Sequence, residues 1–175
     1  PLDMIAKYGA DAVRLSLIIG AAPGNDIKLS EDRIRGYKHF ANKIWNITRF
    51  VLENRAALAA DDAPMSADDM LIVEEAAAVV REATNNIEKY RLDLAFDGLY
   101  QFMWHRFADV ILEESKPFLK GADTARARSR VAALHETLAI TLRALHPFMP
   151  FVTEEIWGSV PGSEGLLMVA PWPTS

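Results

Sequence analysis

The stretch from Arg33 to Phe50 holds residue types that can act together. It carries Arg33, Arg35, Lys38, Lys43 and Arg49 with no acidic residue, interleaved with Asn42, Asn46 and Phe50. Cations contact phosphates, and a carboxamide offers both a donor and an acceptor to a base edge. An aromatic ring offers a π-face to an unstacked base. Placed on a helix at about 100° per residue, Tyr37, Phe40, Ala41, Ile44, Ile47, Thr48, Val51 and Leu52 share one side. Arg35, Lys38, His39, Asn42, Lys43, Asn46 and Arg49 lie opposite, with Phe50 among them and Trp45 at the boundary. Two readings of that polar face stand open. It is either a solvated face with one stray exposed aromatic, which is common, or a nucleic-acid platform.

Other chemistry is hard to build from this chain. With no Cys, thiolate metal sites, Cys nucleophiles and disulfides are excluded. His39, His105, His135 and His146 form no metal-spaced pair, so no metal site is expected. No Gly-rich phosphate loop and no G-x-S-x-G elbow is present. Glu74-Glu75, Glu113-Glu114 and Glu154-Glu155 are adjacent pairs, and adjacent residues do not face each other on a helix. No catalytic constellation emerges, so no catalytic residue is assigned.

The elements that must position these residues follow from composition and pattern. The chain has 175 residues, 50% hydrophobic and 25% charged, which suits one folded domain with a small appendage. Net charge is −5. Without the five bases of the Arg33–Phe50 stretch, 14 bases face 24 acids, a net of −10. An acidic chain with one basic segment hints at a partner rather than at a fold. No apolar run approaches the roughly 20 residues of a membrane span, so no membrane partner is expected. No secretory leader is visible. The absence of an initiator Met reads as a piece of a longer polypeptide.

The fold class expected is all-α, an antiparallel helix bundle with short extra pieces at both ends. A short helix runs from Asp3 to Tyr8, and Asp11 is expected to cap a second through Ile19. Ala21–Asp26 is a loop by composition and Ile27–Leu29 a short extended piece. Ser30 caps a long helix to about Leu58, with Glu31 and Asp32 in its first turn. Ser66 or Asp68 starts a helix to about Arg91, and Asp93 one to about Leu119 that Pro117 bends or ends. On that helix Phe96, Tyr100, Met103 and Phe107 share a core spacing, while Gln101 and His105 share another face. Thr124 caps a helix from Ala125 to Leu145. His146-Pro147 starts a last short helix through Trp157, docked by Phe148, Phe151, Ile156 and Trp157. Leu166 to Trp172 reads as extended. The expected divisions are 1–29, a bundle over 30–160, and a tail over 161–175.

The string His146-Pro147-Phe148-Met149-Pro150-Phe151-Val152-Thr153-Glu154-Glu155-Ile156-Trp157 resembles a hallmark of class I aminoacyl-tRNA synthetases of the Val/Ile/Leu/Met group, in their helical anticodon-binding domain. Tyr8-Gly9-Ala10-Asp11-Ala12-Val13-Arg14 looks like the segment soon after the catalytic Lys-Met-Ser-Lys-Ser loop. Phe40-Ala41-Asn42-Lys43-Ile44-Trp45-Asn46 looks like the first long helix of the anticodon domain. Gly24-Asn25-Asp26-Ile27 is similar to the Gly-Gln-Asp-Ile stretch of the valyl branch, with Asn25 in place of Gln. Ser115-Lys116-Pro117 also suits that branch.

The resemblance implies a module that reads the anticodon of valine tRNA and positions the tRNA. Its partners would be that tRNA and the remainder of a synthetase chain, in the cytoplasm. The His-Ile-Gly-His and Lys-Met-Ser-Lys-Ser motifs are absent, so ATP and Mg belong to the parent enzyme and no cofactor is expected in this chain. By the same resemblance Arg33, Lys43, Asn46, Phe50 and Gln101 contact the anticodon, with Phe50 stacking on a base and Lys43 or Asn46 reading a base edge. Lys38, Asn42 and Arg49 would reach the RNA backbone. The alternatives are the same module from an isoleucyl or other sister enzyme, or a helical interaction protein without RNA binding.

Overall fold

The structure is a computed structural model that describes residues 2–19, 29–58, 64–120 and 124–173. It contains α1 (Leu2–Tyr8), α2 (Ala10–Ile18), α3 (Glu31–Leu58), α4 (Ala67–Glu88) and α5 (Leu92–Gln101). A π-helical segment (Phe102–Ile111) leads without a break into α6 (Leu112–Leu119), and α7 (Ala125–Leu145) and α8 (Pro150–Trp157) follow. A single 3-10 turn spans Leu167–Val169, and no strand occurs among the described residues. The expected all-α bundle is therefore present.

Three helices begin where a side chain can satisfy their orphan N–H groups. Ser30 Oγ accepts from the Arg33 N–H at 3.3 Å, Ser66 Oγ from Asp69 at 3.3 Å, and Thr124 Oγ1 from Ala127 at 3.1 Å. Apolar spacings of three and four then build one core. Phe40, Ile44, Ile47 and Val51 of α3 share one buried cluster with Ile72, Ala76, Val80 and Ala83 of α4 and Leu134, Leu138 and Leu142 of α7. Phe96, Met103 and Phe107 fill the space between, all with no exposure. Tyr37 and Phe40 of α3 touch Phe96, Phe40 also touches Tyr100 and Trp104, and Lys43 reaches Asp109. Contacts that advance together along both helices mean that α3 and the α5–α6 rod run parallel. The tight turn after α4 makes α4 antiparallel to α5.

Several boundaries differ from expectation. Asp11 does not cap α2. It lies inside that helix, 6% exposed, and its carboxylate accepts the Phe151 N–H at 3.2 Å and the Val152 N–H at 2.7 Å. Met149, in the cap position of α8, offers no side-chain acceptor, so the positive end of α8 recruits a carboxylate from another helix. α8 starts at Pro150, whose fixed φ suits the first helical position, and residues 146–149 form a turn. Phe151 is not part of the docking face, being 63% exposed, whereas Phe148, Ile156 and Trp157 are buried. α4 ends at Glu88 because Tyr90 adopts a left-handed φ of 58°. The Leu166–Trp172 piece is not simply extended: the Glu154 carboxylate accepts from the Leu167 and Met168 N–H groups and folds it into the 3-10 turn. The loop expected at Ala21–Asp26 lies outside the described residues, as do Ile27 and Lys28 of the extended piece.

The ends of the chain pack on the bundle. Tyr8, Ala12, Val13 and Ile34 form a small core of their own, and the Arg14 guanidinium donates to the Pro147 carbonyl at 3.2 Å. At the other end Leu167 is buried and the Trp172 indole N–H donates to Thr84 Oγ1 at 2.9 Å.

Candidate nucleic-acid interface

α3 buries the face expected of it and leaves its polar face outward. Phe40, Ile44, Ile47, Thr48 and Val51 are buried, while Arg35, Lys38, His39, Asn42, Asn46 and Arg49 are exposed. Between that face and the neighbouring rod runs an open groove of about 240 Å³. Lys43, Asn46, Ile47 and Phe50 line it from α3; Ala108, Leu112, Glu113 and Lys116 line it from the π segment and α6. Lys43, Asn46 and Phe50 are three and four residues apart, so they succeed one another along about 10 Å of helix.

Phe50 departs from the wheel. It is half-buried and packed on the edge of the main core instead of standing among the exposed residues. The reason is tertiary: Ala108 and Leu112 of the neighbouring rod rise to meet it. The ring still lines the groove, so one part rests on the core and another stays open to a flat apolar ligand.

The groove carries fixed charges. Lys43 Nζ donates to Asp109 Oδ1 at 2.8 Å and lies 5.5 Å from the Trp104 ring centroid. The bond from Lys43 holds the Asp109 carboxyl below its ordinary range, against a smaller opposing effect of burial. Lys116 Nζ donates to both oxygens of Glu113 at 2.6 and 2.7 Å. Asn46 has no side-chain partner among the described residues, so its carboxamide can donate and accept.

The other expected residues lie elsewhere. Arg33 sits near the start of α3, about 25 Å along the helix from Phe50. Its guanidinium donates to the Ile19 carbonyl and lies 3.5 Å from the Tyr37 hydroxyl. Lys38 Nζ donates to the Lys7 carbonyl at 3.1 Å, beside the Tyr8 ring. Asn42 is exposed on the same helix. Arg49 lies on the α8 side of α3, in a shallow pocket with Trp45 and Ile156, and loosely pairs with Glu53 at 3.9 Å. Gln101, at the end of α5, is exposed, 3.5 Å from Asp97 and outside the groove lining. The groove thus gathers three of the expected residues and adds Glu113 and Lys116, while Trp104 and Asp109 hold Lys43 from outside its lining. Of these, sequence marked Trp104 and Lys116 only in other connections. The His105–Asp109 spacing of four was available as a signal for a charged strip on that rod.

Among the described residues no cluster of three His, Cys, Asp or Glu could hold a metal ion. No helix of the described residues is long and apolar enough to cross a membrane.

The same all-α architecture occurs in a solved structure. It superposes on a chain in the crystal structure of the ternary complex of Agrobacterium radiobacter K84 agnB2 LeuRS, tRNA and LeuAMS. The TM-score is 0.75 at 19% identity, over 99% of this chain and 20% of that one. The family described as the anticodon-binding domain of tRNA ligase matches residues 69–175. The chain belongs to this family. Among proteins of similar sequence, the valine–tRNA ligase of Clostridium tetani is 41% identical over 99% of this chain and 20% of its own length. That of Syntrophotalea carbinolica is 43% identical over 93% of this chain and 19% of its own. That of Bradyrhizobium diazoefficiens is 41% identical over 99% and 18%. The chain spans about a fifth of the length of these relatives, and the similarity covers α3 and its groove as well as the family match.

Proposed function

We propose that this chain recognises the anticodon of valine tRNA and positions the tRNA as one part of a valine–tRNA ligase. ATP-dependent aminoacylation belongs to the remainder of that longer enzyme. The observation that carries the reading is the alignment of Lys43, Asn46 and Phe50 along one open groove. The groove offers an aromatic ring for a base to rest on, an uncommitted carboxamide for its edge, and an ammonium beside both. Those are the means by which proteins read unstacked bases of single-stranded RNA loops. Asn42 and Arg49, exposed on α3 outside the groove lining, serve as backbone contacts. Arg33 and Lys38 lie toward the α1–α2 end, and Gln101 stands exposed at the end of α5, outside the groove lining. The partners are therefore the anticodon arm of valine tRNA and the rest of the ligase chain, in the cytoplasm where tRNA is charged. The names of the similar sequences favour valine over the sister amino acids.

The test is a titration of the 175-residue chain with valine tRNA transcript, against the same transcript changed at the middle and third anticodon positions. Tighter binding of the unchanged transcript is expected. Equal binding of both, weakening in parallel with salt, would reduce the groove to a nonspecific basic surface.

A further inference from the structure

Lys43 is held from two directions by one short stretch of helix. Its ammonium donates to the Asp109 carboxylate at 2.8 Å and faces the Trp104 ring, 5.5 Å from the centroid. Trp104 and Asp109 are five residues apart. On an α-helix at 100° per residue they would point about 140° from each other, and one of them would miss Lys43. A π-helix closes its hydrogen bonds from i to i+5, which brings residues five apart toward one face. The rod is π-helical from Phe102 to Ile111, so its widened turn is what brings the ring and the carboxylate to the same ammonium. Such segments are rare and concentrate at functional sites.

Neither partner of Lys43 is loose. The Trp104 ring stacks on Phe40, with centroids 5.9 Å apart and planes 20° apart, and leans on Tyr100 at 5.6 Å. His105 Nδ1 lies 3.6 Å from the second oxygen of Asp109. Lower in the groove Glu113 is paired with Lys116. Both lysines of the groove lining are therefore already engaged by a carboxylate, Lys43 by Asp109 beside the groove and Lys116 by Glu113 within it. A phosphate brought here finds both ammoniums already neutralised, whereas a base edge carrying amino or imino N–H groups meets acceptors.

We infer that Asp109 is a specificity-determining positioning residue: by fixing Lys43 against Trp104 and neutralising its charge, it closes the groove to the phosphate backbone and leaves it to a base edge. This rests on the proposed reading of the groove as an RNA interface. A lysine without that carboxylate grips any RNA through a phosphate, a contact that adds affinity and carries no sequence information.

The test compares the wild-type chain with Asp109→Asn and Asp109→Glu. The probes are an RNA hairpin of the valine anticodon arm and one changed at the middle and third anticodon positions, each titrated at several salt concentrations. Asp109 is half-exposed, and thermal melting establishes that both variants are folded. Asp109→Asn is expected to bind the changed hairpin several-fold more tightly than wild type does. The ratio between hairpins should fall toward one, and the slope of log affinity on log salt should steepen by about 0.7–0.9, one added phosphate contact. Asp109→Glu, which keeps the charge, should restore the ratio. An unchanged ratio and slope in Asp109→Asn overturns the inference, and so does an equal loss of binding to both hairpins, which marks mere structural support. If wild type discriminates and Asp109→Asn does so equally, only this inference falls. If wild type fails to discriminate, the proposed function falls and takes the inference with it.

Discussion

Phe50→Ala separates the two roles that the groove gives one ring. A Phe with no exposure, such as Phe40, would cost about 3–5 kcal/mol on truncation. Phe50 is half-buried at the rim, where water fills the space it vacates, so about 1–2 kcal/mol of stability is expected to be lost. Stacking of one base on an aromatic ring is worth about 1–3 kcal/mol by alanine substitution. That is about 5- to 150-fold in Kd. The two effects are separable because one acts on the folded fraction and the other on binding by what is folded. Urea unfolding measures the first, and titration of the valine anticodon hairpin, in buffer where the variant is at least nine-tenths folded, measures the second. Ile44→Ala, on the same helix with no exposure, is the control. It should lose about 2–5 kcal/mol of stability and leave hairpin affinity of the folded protein intact. The reasoning is refuted if folded Phe50→Ala binds the hairpin as wild type does, or if it unfolds as readily as Ile44→Ala with no loss of affinity.

Two further outcomes concern what holds the groove's frame. Asp69, 2% exposed, accepts from Ser129 and Arg130 of α7 and from Ser66 at 2.9 Å, so it ties the start of α4 to the start of α7. Asp69→Ala leaves Arg130 largely buried without its carboxylate and should cost about 3–5 kcal/mol in urea unfolding. Burial opposes ionisation of Asp69, but those donors outweigh it and hold the carboxyl below its ordinary 3.8. A depressed carboxyl contributes stability above its unfolded value and loses it as pH falls through its folded value. The stability gap between wild type and Asp69→Asn should therefore be full above about pH 4 and narrow below it, as pH-dependent melting can check. Asp11→Ala removes the acceptor for two N–H groups of α8 and should cost about 0.5–2 kcal/mol. Amide exchange at Phe151 and Val152 should accelerate selectively while the amides of α4 stay protected.

What was legible in the sequence were the features written locally. Ser30, Ser66 and Thr124 cap where they were expected to, because a cap needs only a hydroxyl and the three residues after it. The buried face of α3 follows from its 3.6-residue period, and Phe96, Met103 and Phe107 are buried as expected although the last two stand in the π segment. Features that depend on a distant partner were not legible. Asp11 carries the marks of a cap for its own helix, yet it serves α8, some 140 residues later in the chain. Phe50 falls on the polar side of the wheel, and only the position of Ala108 and Leu112 makes it a rim residue. The π segment leaves no trace in composition, because a widened turn changes the angular spacing without changing the residues. That turn brings Asp109 and Trp104 to Lys43, so the restraint on that lysine stayed hidden. Family resemblance carried the choice between a solvated face and an RNA platform, which residue types alone left open.

The central claim is that an anticodon loop occupies the groove between α3 and the π segment. Its most direct test maps amide and side-chain NMR shifts of the isotopically labelled chain as the valine anticodon hairpin is added. The account predicts saturating shifts at Lys43, Asn46, Phe50, Ala108 and Asp109, with the Asn46 carboxamide among the largest, and little change on the α4 face opposite. Shifts confined to other surfaces, with these residues silent while the hairpin binds, would contradict it.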